Sequence, residues 1–351
     1  MNIFNFLNNK KVIFTGVLDD TRTENEKLKD WTHEELIGYG APVSWEEREP
    51  KKYPVRNQDG SGACGAFSSS VALGRNEEKE SGKYVNLSPA FIYQKRSNKD
   101  GAGMNIADMM EILKTHGSPL DEDLSDDNKD DKYLDSKQFN QYKVEEAKKY
   151  RAKNYVYMSK DINEMARVIS EGKTPILLLR CGIKEWITTP QLIKNTREIN
   201  HYVPCVDFVL IDGVKYIVVQ DSWGWSGGKN GYRFLSEEFI KNRVELVVYT
   251  IDLENTPIVE PITTKPVYYF KSSLEKGTMN NEDVKALQRI LKYEGCMDQS
   301  VPSTGNYLNM TCLAVKKLQL KNQIASVKEI ESLQGARCGS KTLFYLNRKY
   351  A

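Results

Sequence analysis

Asn57–Ser68 reads NQDGSGACGAFS: a polar turn punctuated by glycines that runs straight into small and apolar residues at helical spacing. Gly60 and Gly62 permit a sharp backbone turn. Cys64 then stands at the start of the following helix, where the helix dipole favours negative charge. A cysteine attacks as its thiolate, so this placement arms it. Gln58, earlier in the same turn, can swing its side-chain amide back over Cys64. Together with the Cys64 backbone N–H it would form a two-donor oxyanion hole.

A thiolate nucleophile needs a base that later acts as acid towards the leaving amine. The chain offers His33, His116 and His201. His33 lies in a polar N-terminal region. His116 ends a helix ahead of Gly117–Ser118–Pro119, where the dipole alone explains it. His201 opens a strand within EINHYVPCVDFVLI, 137 residues after Cys64. The next strand ends in QDSWG, Gln220–Gly224. The Asp212–Gly213 turn between the two strands predicts a hairpin. Asp221 would then accept the second ring N–H of His201, fixing its tautomer and stabilising the imidazolium. Trp223 would lie across that contact and exclude water.

NQDGSGACGAFS, the strand-leading His201, DSWGWSGGKNGYRF and the lead-in PVSWEER (Pro42–Arg48) together resemble the papain-like cysteine peptidases, in that family's order and spacing from about Ala41 to Leu253. The resemblance implies an α+β, two-lobed fold and peptide hydrolysis through a thioester. Cys64 would attack, His201 would shuttle the proton, Asp221 would orient it and Gln58 would hold the oxyanion. Gly62, Gly65 and Trp223 would support the substrate groove. Gly101 and Gly103 would line it, as in non-secreted microbial members. Three positions depart from the pattern. Ser61 stands where the family has a disulfide-bonded cysteine, and Gly65 replaces a bulky aromatic, implying a more open groove wall. Asp221 replaces the usual asparagine and should favour imidazolium more strongly.

The rest of the chain is ordinary by composition. Of 351 residues, 40% are hydrophobic and 28% charged, with a formal net charge of +2; a nucleic-acid binder would carry a basic excess. Asn5, Asn8 and Asn9 interrupt the only leader-like run, so no signal peptide is expected. No stretch approaches the roughly 20 apolar residues of a membrane span. The cysteines other than Cys64 lack a C-x-x-C pair and read as small buried hydrophobes. No metal or cofactor is expected. The acidic run Asp121–Asp135 fails the calcium-loop spacing and reads as a solvated loop.

Four segments are expected. Residues 1–40 form an N-terminal extension, either pro-segment or docking arm, with a strand over Lys11–Val17 and a short helix over Glu24–Glu35. Residues 41–254 form the peptidase domain. It opens with helices over Cys64–Lys79, Ser88–Lys95, Asn105–His116 and Val144–Tyr150. Strands follow over Pro175–Leu179, Val203–Ile211, Lys215–Gln220, Tyr232–Leu235 and Leu246–Ile251. Residues 255–267, with Pro257, Pro261 and Pro266, form a linker.

Residues 268–351 resemble the small three-helix peptidoglycan-binding-like module. Val284, Leu287, Gln288 and Leu291, then Gly305–Tyr307, Thr311, Ala314, Val315 and Gln319, carry that likeness. One apolar stripe is expected at Val284, Leu287, Ile290 and Leu291, another at Leu313, Val315, Leu318 and Leu320. STGNYLNMTCLAVKKLQ and GARCGSKTLFYLN share a Gly–Thr–Leu cadence that hints at a duplicated half-motif. A shallow groove near Tyr307 and Asn309 is the candidate glycan contact. The combined expectation is a cysteine endopeptidase acting on protein or peptide substrate. Peptidoglycan or a virion protein would be its second partner, at a bacterial envelope or on a phage particle. The rival expectations are a catalytically unarmed structural protein and a peptidoglycan cross-link endopeptidase.

Overall fold

The computed structural model describes residues 16–23, 27, 30, 32–37, 40–99, 101–188, 199–225, 228–251, 262–299 and 301–351. They divide into two compact units: those up to residue 21 with those of 40–251, and those of 22–39 with those of 252–351. Most of the strand expected over 11–17, much of the helix expected over 24–35 and the first half of the linker lie outside the described residues.

Helices open the first unit. α1, Cys64–Ser81, ends where Gly82 takes a left-handed conformation and returns its N–H to Glu78 O, the usual glycine stop. α2 (Pro89–Tyr93) starts with the Ser88 hydroxyl accepting the Phe91 N–H, and α3 (Ile106–Thr115) with Asn105 capping Asp108 N; each cap satisfies an orphan donor of the first turn. Two shorter helices follow, α4 (Asp131–Ser136) and α5 (Gln141–Ala147).

The remainder of this unit is a six-stranded antiparallel sheet in the order β1-β6-β2-β3-β4-β5. Its strands are β1 (Asn154–Met158), β2 (Ile176–Cys181), β3 (Ile199–Ile211), β4 (Val214–Gln220), β5 (Tyr232–Ser236) and β6 (Val244–Ile251). Helices α6 (Ile162–Ser170), α7 (Ile183–Thr188) and α8 (Glu237–Arg243) lie between them in the chain. β3 is the spine. Its first half pairs with β2 and its second half with β4, and the register shifts between Cys205 and Asp207. The Arg48 guanidinium grips the Asp207 carboxylate at that shift through two contacts of 2.7 Å, fastening the PVSWEER lead-in to the sheet. α1 packs over the sheet through a core that includes Phe67, Leu73, Tyr202 and Val248.

The acidic run is not the solvated loop its composition suggests. Asp121 and Asp126 are buried, and Arg56, itself 2% exposed, pairs with both Asp121 and Asp127 at 2.8 and 2.7 Å. Lys137 and Ser88 hold Asp126. Removing one member of a buried pair of this kind costs about 3–5 kcal/mol, so this loop is part of the scaffold behind the nucleophile turn.

In the second unit α9 (Glu282–Tyr293), α10 (Asn309–Lys321), α11 (Val327–Leu333) and α12 (Ser340–Tyr350) surround a two-stranded ladder of β7 (Leu274–Glu275) and β8 (Arg337–Cys338). The faint cadence in the sequence is a structural repeat. Gln288 Nε2 donates to Asn306 O and Thr311 Oγ1, 18 and 23 residues on. Gln319 Nε2 donates to Arg337 O and Thr342 Oγ1 at the same two separations. Each buried glutamine thus ties its helix to the start of a later one, α9 to α10 and α10 to α12. The stripe on α9 is buried as expected. On α10 Val315 and Leu318 are buried, but Leu320 is 38% exposed; Thr311, Cys312, Ala314 and Gln319 complete the buried face. Tyr307 is a core residue with its hydroxyl donating to Gly335 O, so it lines no glycan groove. Asn309 begins α10, half-exposed.

Candidate active site

Cys64 is the first residue of α1, so its side chain sits at the positive end of an eighteen-residue helix dipole. β3 carries His201 to the same place, with α1 packed beneath it and the Ser68 hydroxyl donating to Tyr202 O at 2.9 Å. Asp212 and Gly213 both take positive φ, 50° and 74°, the tight hairpin turn that folds β4 back on β3. β4 then delivers Asp221 beside His201. Asp221 Oδ1 lies 2.9 Å from His201 Nε2. With Nε2 so engaged, Nδ1 is the ring nitrogen left for Cys64, which acts on the His201 ring. Burial disfavours charge on the imidazole. Asp221 and Cys64 outweigh it and raise the His201 pKa to about 9.

That value sets an alkaline limit. A group whose pKa is raised in the folded chain holds its proton until pH rises through the raised value. The imidazolium needed to protonate a leaving amine is therefore present at neutral pH and lost near pH 9. Once residues 16–20 are lifted by the Gly16→Val substitution, we expect kcat/KM for peptide hydrolysis to hold through neutral pH and fall about tenfold per unit well above pH 9, measured with one peptide from pH 5 to 11. A fall centred near pH 6.5 would mean that the pair does not share its proton as the geometry implies.

Gln58 is held from three directions. Its Nε2 donates to Ser61 O at 2.8 Å, its Oε1 accepts from the Ser222 hydroxyl, and its backbone N–H donates to Ser222 O at 2.7 Å. A primary amide has two N–H donors, so one remains for an oxyanion. Trp223 lies with its ring 5.2 Å from that of His201.

Gly62 and Gly103 pack closely against each other beside the nucleophile turn. A Cβ built on Gly62 would fall 2.9 Å from Gly103 N. Asp131 and Tyr93 brace this approach: Asp131 Oδ1 accepts from Gly62 N at 3.0 Å and from the Tyr93 hydroxyl, which itself accepts from Gly103 N at 2.9 Å. This polar strut spans the region where Ser61 stands in place of a bonded cysteine. Gly101 is exposed with open space beside it. Gly65 does not open the groove. A Cβ there would meet Met109 Sδ at 2.9 Å and Tyr202 at 3.3 Å, so those side chains fill the volume that an aromatic after the nucleophile would occupy.

Three contributors were not singled out in the sequence. Trp186 Nε1 donates to Asp221 Oδ2 at 3.0 Å, Arg233 Nη2 lies 2.7 Å from the same oxygen, and Ser222 orients Gln58. Ser222 lies inside the quoted QDSWG motif, so its neighbourhood was at least marked. Trp186 and Arg233 had no such signal. Four other cysteines, Cys205, Cys296, Cys312 and Cys338, are buried free thiols, as expected. Among the described residues no cluster of His, Cys, Asp or Glu is fit to hold a metal ion.

Residues 16–20 cross the groove. Gly16 O accepts from Met104 N at 2.8 Å and Leu18 N donates to Met104 O at 2.9 Å, making Val17 a parallel bridge partner of Met104. On the opposite wall Asn200 donates to Val17 O and Arg180 pairs with Asp19. A Cβ on Gly16 would lie 1.9 Å from Gly62 O and 2.9 Å from Cys64 Sγ. Beneath this strap Cys64 and His201 are 0% and 2% exposed, too little for a polypeptide to reach them.

The family model for papain family cysteine proteases matches residues 41–248, and the chain belongs to that family. Among individual proteins, chicken (Gallus gallus) cathepsin K is 26% identical over 206 residues, covering 56% of this chain and 58% of its own length. The chain thus spans rather more than half of that relative. Among solved structures, xylellain, a cysteine protease from Xylella fastidiosa, superposes with a TM-score of 0.54 at 19% identity, covering 68% of this chain and 97% of the other. That likeness speaks for the fold. Among the described residues no helix is long and apolar enough to cross a membrane.

Proposed function

We propose that the chain is a cysteine endopeptidase held shut by its own N-terminal strap, and that its C-terminal unit tethers it to bacterial peptidoglycan or to a virion protein. The observation that carries the catalytic part is the buried row Cys64–His201–Asp221, with Cys64 opening α1 and Asp221 Oδ1 2.9 Å from His201 Nε2. In the proposed reaction Cys64 Sγ attacks the peptide carbonyl carbon, and the oxyanion takes the Cys64 N–H and the free Gln58 N–H. His201 then gives its Nδ1 proton to the leaving amine as the C–N bond breaks. The thioester is cleared by water, whose proton returns to His201 as the new C–O bond forms.

The strap supports the inhibitory reading by position. Glycine at residue 16 is what lets the backbone pass Gly62 and Cys64, since any side chain there would collide with a carbonyl oxygen. The tether reading rests on the resemblance of residues 268–351 to the peptidoglycan-binding-like module and on the buried Gln–Thr repeat that builds it.

One experiment tests these parts together. The full chain and its Gly16→Val variant are compared on a peptide library, on purified bacterial peptidoglycan and for co-sedimentation with that peptidoglycan. We expect Gly16→Val, which must lift the strap, to cleave internal peptide bonds at least about tenfold faster, as relief of occlusion requires, with both chains sedimenting with the wall polymer. A variant no faster than the parent removes the inhibitory reading. Release of stem-peptide fragments without cleavage of ordinary peptides would make the enzyme a wall cross-link endopeptidase. No co-sedimentation removes the peptidoglycan tether.

A further inference from the structure

Asp221 raises a physical problem that the usual asparagine does not. It is a carboxylate at 1% exposure, and a charge taken out of water is costly unless paired. If His201 were its only partner, the pair would hold the imidazolium proton too firmly for efficient transfer to a leaving amine. The chain supplies a second partner. Arg233 on β5 pairs with Val219 on β4, the residue two before Asp221 on the same alternating face. Its Nη2 lies 2.7 Å from Asp221 Oδ2, with both side chains fully buried. The guanidinium carbon is 4.9 Å from the centre of the Trp186 ring, and that ring stands edge-on to His201 at 5.8 Å. Gly228, at φ 57°, leaves the space the guanidinium needs; a Cβ there would lie 2.1 Å from Arg233 Nη1.

We infer that Arg233 is a positioning residue of the catalytic apparatus, and that Asp221 with Arg233 acts as one electrically neutral unit where relatives use a single amide. The Asp221 carboxylate then lies between His201 on one side and the Arg233 guanidinium on the other. Among the described residues the charged groups acting on His201 are Cys64 and Asp221, and Arg233 is the strongest influence favouring the ionised form of Asp221. Trp186 and Trp223 complete the surroundings without charge. Arg233 touches no reacting atom. It keeps Asp221 ionised and its carboxylate turned so that Oδ1 faces His201.

This inference rests on the peptidase reading and is separated from it by a substrate-free readout. Asp221→Asn leaves the Arg233 cation buried without its carboxylate, whereas the double variant Asp221→Asn/Arg233→Met removes both charges. Each is made in the full-length Gly16→Val chain, whose strap no longer covers the site. The pH dependence of Cys64 alkylation by iodoacetamide is read alongside kcat and KM on a cleaved peptide. We expect Asp221→Asn to lose roughly 10²–10³-fold in kcat, since misplacing the histidine at such sites costs up to about 10⁴. The double variant should recover at least tenfold of that loss at unchanged KM. Its alkaline limb of alkylation should lie above that of Asp221→Asn, because a repelling cation has gone. An unfolded Asp221→Asn beside a folded double variant would support the same coupling.

If Arg233 only fills space, its removal adds damage. The double variant would then be no more active than Asp221→Asn, with the same alkylation profile, or would itself unfold, and the inference fails. Should both unfold, Arg233→Lys decides. Charge kept and kcat within about tenfold of the parent, with an unmoved alkylation limb, supports the electrostatic role; a loss as deep as that of an alanine at Arg233 overturns it. A Gly16→Val chain that alkylates in a His201-dependent way yet cleaves no peptide would count against the peptidase reading and leave the charge row to be judged by alkylation alone.

Discussion

Alanine at Cys64 abolishes peptide hydrolysis by the strap-free Gly16→Val chain, and alanine at His201 lowers its kcat by roughly 10⁴–10⁶-fold, the scale seen when a nucleophile or its base is lost from such an apparatus. The two losses do not add. Cys64 without His201 has no proton donor for the amine, and His201 without Cys64 has nothing to activate, so the double variant should be no worse than Cys64→Ala. The residual rate over water would come from Gln58 and substrate binding. Steady-state kinetics on one cleaved peptide, with melting temperature confirming a folded chain, measures this. A His201→Ala chain retaining more than about a tenth of the activity would place the base elsewhere.

Gln58→Ala should lower kcat by about 10²–10³-fold with little change in KM, as losing one oxyanion donor does elsewhere. Its free N–H meets an oxygen that carries full charge only in the tetrahedral state, so the ground state hardly notices the loss. The network around it refines the expectation. Ser222→Ala keeps the amide but frees its Oε1, which now accepts from the Ser222 hydroxyl, and should cost on the order of tenfold. An equal rise in KM and no change in kcat for Gln58→Ala would mean that it binds substrate and takes no part in the transition state.

Much of this site was legible because its signals are local. The glycines around Cys64, a histidine at the head of an alternating strand and an Asp–Gly hairpin turn each act within a few residues, and all three landed where the chemistry needs them. What escaped depended on distant partners. Arg56 meets Asp121 and Asp127 at separations of 65 and 71 residues, so the acidic run looked like solvent-facing charge. Arg233, flanked by Tyr232 and Phe234, reads as the outward residue of an alternating strand; it faces inward because both sides of β5 at that point are covered. β1 and α6 were not anticipated. INEMARVIS carries Glu164 and Arg167 on a largely buried helix, where they satisfy each other at 2.9 Å, and that pairing breaks the apolar pattern a sequence reading follows. On α10 the phase slipped for a similar reason, since Thr311 and Gln319 occupy core positions through their hydrogen bonds to neighbouring helices.

Pattern predicts a strand ending at Val17 but not what that segment lies across. Gly16 and Val17 belong to a short polar-flanked segment, and its meaning comes only from the Met104 backbone it pairs with. The same holds for Gly65. Replacing an aromatic by glycine looks like the creation of space, yet Met109 and Tyr202 arrive from other elements to occupy it.

The most direct test of the central claim, an activated Cys64–His201 pair, is the rate and site of iodoacetamide labelling at neutral pH. It is followed by peptide mapping in the parent and Gly16→Val chains, each with and without His201→Ala. The account predicts fast labelling confined to Cys64 in Gly16→Val and slower labelling of the strapped parent. It also predicts a drop of at least about tenfold when His201 is removed, with the buried Cys205, Cys296, Cys312 and Cys338 left untouched. Labelling of Cys64 no faster than a free thiol in the strap-free chain, and indifferent to His201, would contradict it.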